Sequence, residues 1–343
     1  MEMLDAVKYK LFVSTWNVGA ITPPSNGNPI TLDDWLDTSN SYDIYVLGFQ
    51  EIVPLSARNV LGPERKEVAV KWNSLIGATL NKCSRADQEE AQHHHKVYPM
   101  KQGGVVDHAE FSCIVSKQMV GILVSVWARK DLFGFIKNPC VSCVGCGIMG
   151  CLKNKGSVSV RFYLHEVSCC FVCCHLSSGE KEGDKRLRNL NLNDILFKTN
   201  FANNSSNNLP EKILDHDCVV LFGDLNYRLS LPTDAKTRSL VDREEWKVLL
   251  GKDQLTFELS PRGIFEAWNE GPITFPPTYK YKPNSAEYCW QVYDKSGGAK
   301  RRAPAWCDRI LWIGKGLKQV GYQRCESKLS DHRPVRAIFV VDL

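Results

Sequence analysis

The chain has 343 residues, of which 43% are hydrophobic and 24% charged, a balance that excludes a disordered chain and supports a sizeable core. Its 43 Lys and Arg against 38 Asp and Glu leave a net charge of +5, which suits anionic partners but falls short of a dedicated nucleic-acid binder. No apolar run reaches the length of a membrane span. Fourteen cysteines in a chain this long do not make the short, core-poor scaffold that disulfides staple, so reduced thiols are expected.

In chain order, MEMLDAVKYK lacks the apolar core of a signal peptide, and Glu2 stands where myristoylation needs glycine. KLFVSTW reads as a strand ending at Asn17, and DIYVLGFQ as one ending at Glu51. VAVKWNSLIGATLNKC has apolar residues at helical spacing. QEEAQHHHK, 88–96, is a polar loop whose His93, His94 and His95 read as solvated rather than metal-binding. FSCIVS, MVGILVSVWARK and GSVSVRFYLHEV are strands.

Between the last two of these lies DLFGFIKNPCVSCVGCGIMG, 131–150, with two open readings. One is a segment dipping into a membrane interface, helped by Lys137 or acylated cysteines; the other is a strand and turn packed on the core. The spacing of Cys140, Cys143, Cys146 and Cys151 fits no standard zinc or iron–sulfur pattern. SCCFVCC ends at His175, and its Cys169, Cys170, Cys173 and Cys174 act as small hydrophobes. KRLRNLNLNDILFK and REEWKVLLGKDQL read as helices, ANNSSNNLP as a polar loop. DCVVLFG ends at Asp224 with Asn226 beyond; ILWIG follows Asp308 and Arg309; VRAIFVVDL follows Asp331 and His332 and closes at VDL without a prenylation cysteine. With no repeat and no long linker, one domain over 1–343 is expected, in the cytoplasm. Strands separated by both short turns and helices point to sheet packed on sheet with helices outside, an α+β architecture.

The strand ends thus offer amides, carboxylates and histidines to one cleft, with no nucleophilic Ser or Cys among them. Such hard oxygen donors suit Mg2+. Taken singly, Asn17 and Asn226 read as turn formers, Glu51 as a helix-entry charge and His175 as a core histidine. Their recurrence at the same place in successive strands favours a site.

The segments WNVG (16–19), FQE (49–51), MGCLKNKGSVSVRF (149–162), CHL (174–176), GDLNYRL (223–229), FPPTYKY (275–281), APAWCDRIL (303–311) and SDHRPV (330–335) resemble the inositol polyphosphate 5-phosphatase family, in its order and over nearly the whole chain. CHLSSGEKEGDKRLRN and ESKLSDHRPV look closest to plant members. The resemblance implies a deoxyribonuclease I-like four-layer α/β/β/α sandwich, two packed, mainly antiparallel sheets flanked by helices. It implies Glu51 as the principal Mg2+ ligand with Asn17 beside it and Asp331 assisting. Asp224 would orient and deprotonate the attacking water, and Asn226 would hydrogen-bond the phosphoryl group. His332 would stabilise the transition state while Asp308 holds it protonated, and His175 would donate to the scissile phosphate. Tyr279, Lys280, Lys300 and Arg302 match positions that grip the neighbouring phosphate, and Asn154 and Lys155 are further contacts.

The implied reaction is Mg2+-dependent removal of a 5-phosphate by in-line attack of water. The implied partners are a phosphoinositide head group or a soluble inositol phosphate, with transient membrane contact, no nucleic acid and a monomeric state. Phosphatidylinositol 4,5-bisphosphate leads, with phosphatidylinositol 3,4,5-trisphosphate and inositol 1,4,5-trisphosphate behind it. Two rivals are a nuclease of the same superfamily, against which the pairing of TYKY with KRRAPAWCDR stands, and a lipid-binding module without turnover. The latter should have lost Glu51, Asp224 or His332, and all three are present.

Overall fold

The apolar runs become strands because both of their faces are buried, each against a different layer. The computed structural model describes residues 8–23, 30–82, 109–147, 152–201, 209–261, 263–293 and 299–343, the side chains at 182, 292–293 and 299–300 excepted. In chain order these form β1 (Lys8–Asn17), α1 (Asp33–Leu36), β2 (Ile44–Gln50), α2 (Ala57–Leu61), α3 (Lys66–Leu80), β3 (Phe111–Met119), β4 (Ile122–Arg129), β5 (Ile136–Gly145), β6 (Gly156–Leu164) and β7 (Val167–His175). There follow α4 (Glu182–Lys198), β8 (Cys218–Asp224), α5 (Ala235–Asp242), α6 (Trp246–Leu250), α7 (Gln254–Glu258), β9 (Gln291–Tyr293), β10 (Ala299–Arg301), β11 (Asp308–Gly314), β12 (Leu317–Arg324) and β13 (Val335–Asp342). One sheet runs β12-β13-β1-β2-β4-β3, the other β11-β8-β7-β6-β5, and β9 pairs with β10 apart from both.

Strand periodicity sorts each side chain to a layer. In β7, Cys169, Phe171 and Cys173 meet Val13, Val46, Val220 and Phe222 between the sheets. Cys170, Val172 and Cys174 point the other way, under Leu192 and Ile195 of α4 and Leu255 of α7. On the far side of the first sheet, Trp16 and Phe49 pack under Trp35 of α1 and Trp72 of α3, with the Phe49 and Trp72 rings 5.0 Å apart. Each such buried side chain contributes roughly 1.5–3 kcal/mol from apolar surface alone. The result is the expected α/β/β/α sandwich. Most strand pairs are antiparallel; β1 with β2 and β7 with β8 are parallel.

Those two parallel pairs position the site. Parallel neighbours finish at the same edge, so Asn17 lies opposite Gln50, and His175 opposite Asp224. β11 enters antiparallel with Asp308 opposite Asp224. Counting by twos from Val13, Cys173, Phe222 and Ile310, which face the space between the sheets, places Asn17, His175, Asp224 and Asp308 on that same inner face at its rim. Below them Thr15 Oγ1 donates to Gln50 Oε1 at 3.1 Å, and Gln50 Nε2 donates to Cys173 Sγ at 3.2 Å, closing the core with a polar floor.

Arg309, one residue on from Asp308, faces outward by the same rule. Its guanidinium is fully buried, donating to both oxygens of Glu270 at 2.6 Å and to Asp253 Oδ1 at 2.8 Å. It is a packing cation between β11 and the start of α7; removing it would leave two acids without their counter-ion, a change that costs about 3–5 kcal/mol.

Two expectations change. REEWKVLLGKDQL is two short helices, because Asp253 caps α7 by accepting from Thr256 N at 2.8 Å, and Gly251 ends α6. The strand expected from MVGILVSVWARK begins only at Ile122, Val120 and Gly121 forming the turn after β3. Within 131–150 a strand is present: β5 pairs along β6 from Ile136 opposite Leu164 to Gly145 opposite Gly156. Phe133 and Phe135, 40% and 43% exposed, sit at the end of that sheet remote from His175, so they are no rim of the site. Residues 148–151 and the histidines 93–95 lie outside the described residues. The described cysteines are all free thiols.

Candidate active site

Asp224 is the hub. It is 2% exposed, and Asn17 Nδ2 donates to its Oδ2 at 2.9 Å while the Asn226 amide donates to its Oδ1 at 3.1 Å. His332 Nε2 lies 3.9 Å from Oδ2 and His175 Nε2 3.3 Å. Burial alone would raise the carboxyl's pKa, but His332, His175 and Lys155 outweigh it and hold Asp224 below the usual carboxylate range.

His332 reaches this place because 330–332 crosses the rim just before β13. Its Nδ1 bonds Asp308 Oδ2 at 2.9 Å, and Thr278 Oγ1 donates to the same oxygen at 2.6 Å. Burial disfavours charge on the ring, yet Asp308, Asp224 and Asp331 together raise its pKa to about 9. Burial also pushes Asp308 up, so the pair shares one proton, and His332, faced by three acids, holds it. Asp224, Asp308 and His332 offer ligand atoms within 4.8 Å of one another, but a protonated ring already bonded at Nδ1 is a charge carrier, not a metal ligand.

On the other flank Lys155, from the turn into β6, places Nζ 2.5 Å from His175 Nε2. Burial lowers the Lys155 pKa, and burial with Lys155 lowers that of His175. A neutral His175 accepting from Lys155 at Nε2 carries its proton on Nδ1, which is buried without a partner. Lys155 thus stands beside His175 on this side of Asp224, where its Nζ also has hydrogens for an anion.

Glu51 follows β2 with φ 54°, a left-handed conformation uncommon for a residue with a side chain. Its carboxylate lies 3.7 Å from His175 Nε2, 32% exposed, and accepts no hydrogen bond among the described residues. With Asn17 at the end of the neighbouring strand and Asp331 against Gly19, it belongs to a set of oxygen donors whose chemistry suits a hard divalent cation. Asn17 Oδ1 accepts from Gly19 N at 3.0 Å, which fixes its rotamer. Asp331 Oδ2 accepts from Lys280 Nζ at 2.5 Å, tying two expected site residues together.

Tyr279 packs against His332, the rings tilted by 37° with centroids 4.4 Å apart. Asn226 donates from Nδ2 to Leu176 O at 3.1 Å and accepts at Oδ1 from Arg228 Nη2 at 2.5 Å. Arg302 joins the rim through Glu180, to which Nη1 donates at 3.0 Å. Asn154 stands apart from these contacts, its side-chain carbonyl buried beside Gly147 without a partner. Lys300 is on the β10 backbone, its side chain outside the described set.

Arg228, Thr278 and Glu180 carry site contacts that the sequence reading did not assign. Arg228 stands two residues past Asn226 in GDLNYR, the same short segment that carries Asp224 and Asn226, which was the available signal; its guanidinium lies 4.5 Å from the Tyr279 ring centre. Nothing in the sequence ties Thr278 to Asp308 or Glu180 to Arg302.

The sandwich and its rim of acids, amides and one imidazolium define a phosphoesterase of the endonuclease/exonuclease/phosphatase class, and the model described as endonuclease/exonuclease/phosphatase family 2 matches residues 14–338. The chain belongs to the inositol polyphosphate 5-phosphatases and is an enzyme of that kind. It is 54% identical over 338 residues to the type IV inositol polyphosphate 5-phosphatase 9 of Arabidopsis thaliana, covering 98% of this chain and 78% of that one. It is 48% identical to the type I inositol polyphosphate 5-phosphatase 8 of the same plant, covering 99% and 72%. Among solved structures it is similar to the inositol polyphosphate 5-phosphatase domain of SPsynaptojanin in complex with inositol (1,4)-bisphosphate and calcium ion, with TM-score 0.76, 28% identity and coverage of 99% and 86%. A Cimex nitrophorin, 19% identical with TM-score 0.65 and coverage of 98% and 99%, shares the fold.

Proposed function

We propose that the enzyme removes the 5-phosphate of phosphoinositides by Mg2+-dependent, direct in-line attack of water. Phosphatidylinositol 4,5-bisphosphate is the leading substrate, with phosphatidylinositol 3,4,5-trisphosphate and soluble inositol 1,4,5-trisphosphate as further ones. The observation that carries this is the position of Asp224, ionised between the His332–Asp308 pair and the Lys155–His175 pair, with the unbonded Glu51 carboxylate alongside.

Glu51, Asn17 and Asp331 would hold the Mg2+, which when bound neutralises phosphate charge. Asp224 holds a water by accepting its hydrogen bond. So acidic a carboxylate takes the proton only as the water's own acidity rises on attack. The His332 imidazolium, kept charged by Asp308, faces negative charge as it grows on the phosphoryl oxygens, and Lys155 meets it from the other side. The Asn226 amide, fixed by Leu176 O and Arg228, presents its remaining N–H. No protein nucleophile is required, since the thiols near the site lie within the core.

Lys280, Tyr279 and Arg302 form the rim that would grip the phosphate next to the one removed, and a transient membrane contact by a monomer would deliver the lipid. Lys280→Ala is expected to raise KM roughly 10- to 100-fold for substrates bearing a 4-phosphate, the loss of a charge-assisted hydrogen bond. Substrates without that group should lose far less. Equal losses on both, read from phosphate release over a panel of inositol phosphates, would remove the clamp.

A further inference from the structure

The rim contains a carboxylate that the proposed chemistry does not use. Glu180 lies on 177–181, between β7 and α4, and one of its oxygens, Oε1, faces two guanidinium groups, accepting from Arg302 Nη1 at 3.0 Å and standing 4.0 Å from Arg228 Nη1. Arg228 is 5% exposed, and that Nη1 is buried with no hydrogen-bond partner. A buried, permanently charged donor without an acceptor is costly. The place where Oε1 comes nearest to serving both arginines is therefore a place an anion would fill better, and the carboxylate, about a third exposed, can leave it for water.

The backbone beneath Glu180 does not need to move for this. Arg188, itself buried, donates from Nη1 to Ser177 O at 3.3 Å and Gly179 O at 3.1 Å, and Asp184 accepts from Lys181 N at 2.7 Å. Gly179 has φ 127°, and a Cβ there would collide with the Asp184 carboxylate. The segment is pinned on both sides of Glu180, so displacement is a change of one side chain's rotamer.

We infer that Glu180 is a built-in competitor: its carboxylate occupies the place of a substrate phosphoryl group between Arg302 and Arg228, and the substrate must displace it to bind. The inference rests on the reading of Arg302 as a phosphate contact and adds Arg228 as its partner. Apparent affinity is then reduced by the fraction of molecules in which the carboxylate is in place. For a partly exposed pair of this kind that fraction corresponds to roughly a two- to fivefold effect.

Calorimetric titration with inositol 1,4-bisphosphate, beside inositol 1-phosphate, tests it. Glu180→Gln should tighten the bisphosphate Kd roughly two- to fivefold and change the ratio of the two Kd values in the same direction. In Arg302→Ala the same Glu180→Gln change should lose most of that gain. If Glu180 instead served to position Arg302, Glu180→Gln would weaken bisphosphate binding; that result, or an unchanged Kd with the melting temperature preserved, overturns the inference. Failure of Arg302→Ala to weaken bisphosphate binding would overturn the phosphate-contact reading itself, a separate outcome. Should Glu180→Gln melt early, Glu180→Ser with the same titration carries the same signs.

Discussion

Asp224→Ala should lower kcat by at least about 10³-fold on every inositol phosphate the enzyme accepts, the upper part of what one positioned base contributes. The substitution removes the carboxylate on which Asn17, Asn226, His175 and His332 converge, so a water loses its acceptor and the Asn17 amide loses its anchor at once. Folding should survive, because Asp224 ends β8 at the rim and its backbone pairing with His175 and Asp308 needs no side chain. Initial rates of phosphate release, with circular dichroism melting as the control, check this. Turnover within tenfold of the parent in a folded variant would show that another group activates the water.

Asp308→Asn is the second large effect. The amide keeps the volume of the carboxyl and can still offer one oxygen to His332 Nδ1, now 2.9 Å from Asp308 Oδ2. It withdraws a full negative charge from a buried ring whose pKa of about 9 depends on it. The imidazolium loses its nearest counter-ion while the oxygen that serves both His332 and Thr278 can stay in place, so kcat should fall roughly 10²- to 10⁴-fold. KM should change far less, since Asp308 is fully buried and touches no substrate. A variant that loses KM and keeps kcat would place Asp308 in binding and not in the support of a charge.

How much of this could be read from the chain depends on distance along it. The strands were legible because burial on both faces writes itself into short, continuous apolar runs such as SCCFVCCH, and the site followed from polar residues standing where those runs stop. Alternation along a strand separates neighbours: Asp308 turns inward to His332 and Arg309 outward to Glu270 and Asp253, which explains why a buried strand opens with two charges. Contacts between segments far apart in sequence were not legible. Thr278 meets Asp308 across thirty positions, and Glu180 meets Arg302 across 122. β5 was obscured because its burial is partial on both faces, so that it carries neither a clean alternation nor a continuous apolar run. The break in REEWKVLLGKDQL was signalled by Gly251 and Asp253, but the helical spacing on either side outweighed it.

The proposed cation-assisted hydrolysis at the ring's 5-position rests on Glu51, Asp224 and the His332–Asp308 pair. The direct test is to incubate the metal-stripped enzyme with phosphatidylinositol 4,5-bisphosphate in vesicles and with soluble inositol 1,4,5-trisphosphate. Mg2+ is then restored, and the phosphate position lost is identified by chromatography of the product. Release confined to the 5-phosphate and returning only with Mg2+ is the result expected. Undiminished release without divalent cations, or loss of a different phosphate, would contradict it.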